Sequence, residues 1–382
     1  MISRRTILAL LFAGGAPVSL LSAAPHRQAG RSPRTESPLF PIVLVWELAL
    51  DSAPATRAAW DESTVYVALR SNRLQAISLG NGRRLWDVEL ATASAPVSGG
   101  SLVFACTSGN VLRALSASGG KTAWEHTLPA SLSAPLHLHG PHLFAGTSDG
   151  GVHLFSAADG MLIWSQRYGS PLVARPALDD ERAYLPLEGG LIVAAALATG
   201  ARTWEQRLGG RPADVAAVGD RLYVGSDDND FSCLSKVNGR IEWHWSAAGD
   251  VVGAAVADER RVYFAALDHV LRAVDRRSGV QRWRASLPSR PGSGPIAFGR
   301  LLLVSGVGPA IGAFNRDDGS PAGAVTAPGD LAGPPHIVPG LTEADSTLYV
   351  LTRDGRLAAF RSARAHFGRL PPALAPGLAK KR

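Results

Sequence analysis

Apolar and polar residues alternate through most of this chain in short runs of five to seven, and the runs recur with a fixed phase. Val111-Leu112-Arg113-Ala114-Leu115 is one such run. It follows a polar turn, Ser108-Gly109-Asn110, which is preceded by a β-rich stretch centred on Phe104. Period-two alternation on either side of a Gly/Asn/Asp turn predicts a β-hairpin. Equivalent turns stand at Ser71-Asn72, Asp149-Gly150 and Asp227-Asp228-Asn229-Asp230. Each hairpin leads into Gly-x-x-x-Trp: Gly82 to Trp86, Gly120 to Trp124, Gly160 to Trp164, Gly200 to Trp204, Gly239 to Trp243, Gly279 to Trp283, and a seventh copy, Gly319 to Gly323, without the tryptophan. Successive copies lie 38, 40, 40, 39, 40 and 40 residues apart. Twenty residues before each motif end stands Tyr66, Phe104, Phe144, Tyr184, Tyr223, Tyr263 or Leu303. A fourth short run, often opened by proline (Pro96, Pro135, Pro176, Pro295), completes the unit. Four antiparallel strands in about forty residues predict a propeller blade.

The two ends of the array complement each other. A last hairpin at Leu348-Tyr349-Val350-Leu351 and 355–360 has no tryptophan strand after it, and Val43-Leu44-Val45-Trp46-Glu47-Leu48, one period before Trp86, has no hairpin ahead of it. Pairing the two gives an all-β, eight-bladed propeller of four-stranded antiparallel blades, closed by the N-terminal strand and relieved of open sheet edges. The tryptophans Trp46, Trp86, Trp124, Trp164, Trp204, Trp243 and Trp283 are expected to pack over the neighbouring blade, each burying roughly 150–250 Å². Cys106 and Cys233 occupy slots filled elsewhere by Ala or Gly in blades far apart, and are expected as buried free thiols.

The repeated string, as in Ser148-Asp149-Gly150, then 154–159, then Gly160-Met161-Leu162-Ile163-Trp164, resembles the pyrroloquinoline-quinone-type (PQQ-like) propeller repeat. The resemblance spans roughly residues 40 to 361. A WD-type repeat fits less well, since only Trp86 is followed by Asp. Quinoprotein dehydrogenases of this architecture typically hold a calcium with Glu, Asn and Asp, and many carry a disulfide between adjacent cysteines. This chain has no adjacent cysteine pair and no clear set of carboxylates at the inner-strand entrances, which argues against quinone catalysis. Among exported, enzyme-free members it is most similar in organisation to the propeller subunits of the outer-membrane β-barrel assembly machine, but it has no lipobox cysteine.

The remaining segments are expected as an export signal over 1–24, with Arg4-Arg5 and an apolar run before Ser22-Ala23-Ala24, a linker over 25–39, the propeller over 40–361 and a basic Pro-rich tail over 362–382. An uncleaved signal acting as a membrane anchor is the rival reading of the N-terminus. The net charge of +7 does not mark a polyanion binder, because from Trp46 to Arg361 there are 29 Lys and Arg against 31 Asp and Glu. Nucleic acid is therefore not expected as a partner, and membrane association is expected only through the signal or a partner.

Candidate chemistry is sparse. His137, His139, His142 and His153 fall in one blade, and the Asp227–Asp230 turn superficially resembles a calcium loop without its later Gly and Glu. Neither is assigned a metal, and no residue is assigned to catalysis or a cofactor. Recognition is expected at the channel mouth, where residues just ahead of the inner strands gather: Ser94, Ser133, Arg175, Arg211 and Ser293, with the two arginines as the leading pair. A six-residue insertion before the last hairpin is expected to extend the stretch holding Pro334-Pro335, Pro339-Gly340 and Thr342-Glu343. Two functions stay open: a monomeric, non-catalytic extracytoplasmic scaffold for protein partners, in envelope or outer-membrane protein assembly, and a redox or small-ligand protein using the funnel.

Overall fold

The computed structural model describes residues 39–364. The export signal, nearly all of the linker and most of the basic tail expected above lie outside them. Within them, eight four-stranded antiparallel sheets follow one another along the chain. Blades 1 to 7 span 59–89, 97–127, 137–167, 177–207, 216–246, 251–286 and 296–326. Blade 8 combines His336–Val338, Thr347–Leu351 and Arg356–Ser362 with Ile42–Ala49 as its outer strand. That outer strand pairs from Ile42↔Ser362 to Ala49↔Arg356, so the ring is closed by the strand that the repeat phase assigned to it. Among the described residues, Leu39 is already 0% exposed, and the last strand runs to Ser362.

The local geometry follows from the repeat. Each hairpin between the second and third strands needs one left-handed residue, and Asn72, Asn110, Asn229 and Gly150 supply it with φ of 58°, 63°, 71° and 82°. Asn and Gly bear that conformation at least cost. In the third-to-outer pairing, the tryptophan faces a small residue in most blades: Trp86↔Ala76, Trp124↔Ala114, Trp204↔Ala194, Trp243↔Cys233, Trp283↔Ala273 and Trp46↔Ala359. A register shift next to that pair recurs in each blade, adding the twist that a radial sheet requires. The aromatic twenty residues upstream lies beside the tryptophan of its own blade, with ring centroids 5.8 Å apart for Tyr66–Trp86 and 5.7 Å for Phe104–Trp124 and Tyr263–Trp283. Cys106 and Cys233 are buried and free, and burial pushes their thiols up to about 11 and about 12.

Blades are joined through the same tryptophans. Trp164 Nε1 donates to Leu197 O at 2.8 Å, Trp204 to Lys236 O at 3.0 Å and Trp283 to Arg316 O at 3.0 Å, each acceptor lying in the next blade. The ring lies against the motif glycine of that next blade. A Cβ at Gly160, whose φ is 74°, would stand 2.6 Å from Trp124 Cδ2. The motif glycine is therefore required twice, for its left-handed turn and for the indole that covers it. At Gly323, where the tryptophan is missing, the ring of Phe40 occupies the space: a Cβ there would meet Phe40 Cδ1 at 2.4 Å. Phe40 is 8% exposed and packs with Leu303, Ala313, Val325 and Phe360. Replacing Phe40 by Ala is expected to cost about 3–5 kcal/mol in urea denaturation, while Leu341→Ala, at a side chain 93% exposed, should stay within about 0.5 kcal/mol.

Candidate functional site at the channel mouth

The innermost strand of each blade is short, two or three residues in most, as in Val97–Gly99, His137–His139 and Ile296–Phe298. The segment ahead of it bridges back to the end of the second strand, as in Thr92↔Thr107, Leu132↔Thr147 and Pro212↔Ser226. Residues before the inner strands therefore collect beside the hairpin turns, around one end of the central channel. Two adjoining cavities of about 410 and about 440 Å³ occupy that end, and Arg57, Arg175, Asp214 and Pro334 border both.

Of the residues expected at the mouth, Arg175, Arg211 and Ser293 line the first cavity together. Ser94 and Ser133 line neither cavity. Ser133 is drawn into its own blade, its N–H donating to Gly146 O at 2.9 Å and its hydroxyl enclosed without a partner. The insertion is also more local than expected. The approach to the inner strand, with Pro334 and Pro335, keeps its ordinary length, and the extra residues fall at the other end of that strand, in the turn 339–346. There Thr342 caps a short 3₁₀ turn, Glu343–Asp345, which Ser346 ties to Gly340 N–H at 3.0 Å.

The two arginines differ in freedom. Arg175 is held by Asp214, with Nη2 and Nε donating to Oδ2 at 2.8 and 3.0 Å and the backbone N–H to Oδ1 at 2.9 Å. The pair lies 39 residues apart, one repeat, which is the signal by which sequence reasoning could have found Asp214. Arg211 reaches Glu188 Oε2 at 3.4 Å with its side chain half exposed, and its N–H donates to Asp227 Oδ1 at 2.7 Å. Exposed pairs of this kind contribute about 0–1 kcal/mol to stability. Asp228 and Asp230 are engaged by Ser226 and Ser246 hydroxyls, both at 2.5 Å, within the hairpin turn. Two features of the channel carried no repeat signal: Arg57, and Trp60 stacked on His336 with ring centroids 5.2 Å apart and planes 9° from parallel.

The histidines of blade 3 separate. His153 uses both ring nitrogens, with Thr147 Oγ1 at 3.2 Å and Ser165 Oγ at 2.9 Å. His137 lines the channel, where burial, and then the Arg175 charge and His139, push it down to about 4.

The family described as outer membrane protein assembly factor BamB matches residues 107–216, 188–285 and 267–366. The chain belongs to the BamB family. No curated protein matches it. Among solved structures, BamB from Moraxella catarrhalis is 19% identical over 84% of this chain and 98% of that one, with a TM-score of 0.68. Saccharomyces cerevisiae Sqt1 is 11% identical over 83% and 98%, with a TM-score of 0.74. The quinohemoprotein alcohol dehydrogenase ADHIIG from Pseudomonas putida HK5 is 11% identical over 88% and 78%, at 0.67. At these identities the likeness is one of fold.

The donor set of this BamB-family propeller does not fit a calcium-bound quinone. Asp214 and Asp227 are already engaged by Arg175 and by the Arg211 N–H. Among the described residues no three His, Cys, Asp or Glu side chains converge on a metal position, and the two cysteines lie in blades 2 and 5.

The neutral His137 sets a pH dependence. Its folded pKa lies below the unfolded value, so the unfolded chain takes up a proton first as pH falls, and stability declines from about pH 6.5 toward pH 4. By about 1.4 kcal/mol per pKa unit, the loss from this residue is on the order of 2–3 kcal/mol. In urea titrations the stability of wild type relative to His137→Leu should therefore fall by that amount between pH 7 and pH 4.

Proposed function

We propose that this propeller is a non-catalytic, extracytoplasmic scaffold that binds protein partners at its channel-mouth rim and serves envelope or outer-membrane protein assembly as a monomer. The observation that carries the reading is the family match over residues 107–366, whose described role is outer membrane protein assembly. It joins a rim on which Arg175 and Arg211 stand half exposed on a rigid ring beside Glu188 and Asp227. A guanidinium fixed at one side by a carboxylate still offers N–H groups to an incoming carboxylate or peptide carbonyl. Mixed charge on a rigid rim selects partners by complementarity and speeds encounter. Exposed loops on a scaffold that does not deform suit docking with little rearrangement.

Charge reversal tests the rim. The Arg175→Glu/Arg211→Glu protein is expected to recover a specific envelope protein at least about tenfold less well than wild type in pull-down under gentle detergent, a loss of about 1.4 kcal/mol or more. Failure of the wild type to recover any specific envelope protein would overturn the scaffold reading. Equal recovery by the double variant would move the contact off this rim. Alcohol-dependent dye reduction after addition of pyrroloquinoline quinone and calcium is expected to remain at background, and turnover would overturn the non-catalytic part.

A further inference from the structure

We propose that the channel holds a second site, distinct from the rim, which binds a carboxylate carrying an aromatic group. The cavity of about 440 Å³ lies between the inner strands of blades 8, 1, 2 and 3 and is bordered by Arg57, Trp60, Pro96, Leu136, His137 and His336. That volume is within the range of small-ligand pockets, about 300–1,000 Å³. Apart from Arg57, Arg175 and Asp214, its lining side chains are apolar, hydroxyl or imidazole groups. Trp60 and His336 form a parallel stack, and burial lowers the pKa of both His336 and His137. The Arg175 charge at its edge is neutralised by Asp214.

Arg57 supplies the uncompensated charge. It borders both cavities, and its aliphatic stem rests on Gly333, where an added Cβ would stand 3.2 Å from Arg57 Cγ. Among the described residues, no side chain or carbonyl accepts a hydrogen bond from its guanidinium and no carboxylate pairs with it, although arginines recur in ion pairs around the ring. An exposed cation without an acceptor in the described chain, at the edge of a cavity of mixed polarity that holds the Trp60–His336 stack, is complementary to an amphipathic anion. The carboxylate would take two parallel N–H donors from the guanidinium, and the ring would lie along the Trp60–His336 wall in an offset or edge contact. A free aromatic acid and the terminal carboxylate of a polypeptide ending in an aromatic residue share this chemistry.

Calorimetric titration of the full chain at pH 7.5 with 3-phenylpropionate, and separately with a hexapeptide ending in a free-acid phenylalanine, tests the site. Each probe is paired with its amide. At least one free acid is expected to bind saturably, and its amide at least about tenfold more weakly, as expected for loss of one charge-assisted pair. Arg57→Gln should weaken the acid by a similar factor, Arg57→Lys should recover part of the loss, and Arg211→Gln on the rim should leave binding unchanged. Because the Arg57 guanidinium makes no hydrogen bond or ion pair within the described chain, and its carbonyl, which accepts from Thr56 Oγ1, is kept in the variant, Arg57→Gln is expected to melt with the wild type. Binding of the peptide alone identifies a polypeptide terminus, and binding of phenylpropionate assigns the site to free acids as well. The proposal is overturned if neither acid binds, if acid and amide bind alike, or if Arg57→Gln binds as tightly as wild type. Rim-dependent partner capture is read in a separate assay, so either proposal can fail without the other.

Discussion

The contact on which this ring depends is the indole of one blade pressed onto a glycine of the next. It recurs around most of the circle and combines three features. A small residue lies across the sheet from the indole in most blades, as Ala194 does for Trp204, although Trp164 faces Leu154. A backbone carbonyl accepts from the N–H of the motif tryptophans from Trp86 to Trp283, as Lys236 O does for Trp204. The facing glycine, here Gly239 with φ of 73°, must carry no side chain. Hydrophobic burial supplies most of the driving force, but the hydrogen bond and the missing Cβ set how far and at what angle adjacent sheets approach. Because a forty-residue unit cannot bury its own outer faces, the clasp joins neighbouring sheets over eight apolar clusters that run around the ring.

The rigidity that results gives the channel its character. At the mouth, Arg175 is held by Asp214 one repeat away, and Arg211 stands beside Glu188 and Asp227. Buried imidazoles stay neutral there because solvation is lost faster than nearby carboxylates can compensate. The channel end is thus of mixed polarity, with the Trp60–His336 stack on one side and the Arg175–Asp214 pair at its edge.

Much of the architecture was legible because period and phase are properties of the string. The spacing of the tryptophans counted the blades, and their offset from Ala76, Ala114 and Ala273 marked the small residues facing them. The orphan strand around Trp46 pointed to closure. The site was less legible because its members share no phase. Arg57 and Trp60 belong to a segment that fits no tryptophan motif, and the His336 beneath Trp60 is 276 residues away, so only the closed circle brings the two together. Ser94, Ser133 and Arg175 stand at different distances ahead of their inner strands, so nearness to that strand did not tell which of them reaches the cavities. The seventh copy showed only that its tryptophan is missing at Gly323, and the ring that fills the place, Phe40, is 283 positions away in the chain.

That replacement ties manufacture to completeness. The seat for Phe40 is built by residues beyond 300, and the strand it precedes finds its partner only in Arg356–Ser362. A nascent chain therefore carries its own fastener unused through translation of seven blades, exposing a strand able to pair with whatever edge it meets. A premature stop anywhere before the last hairpin leaves the same defect, an open circle with two adhesive ends, whichever blade is lost.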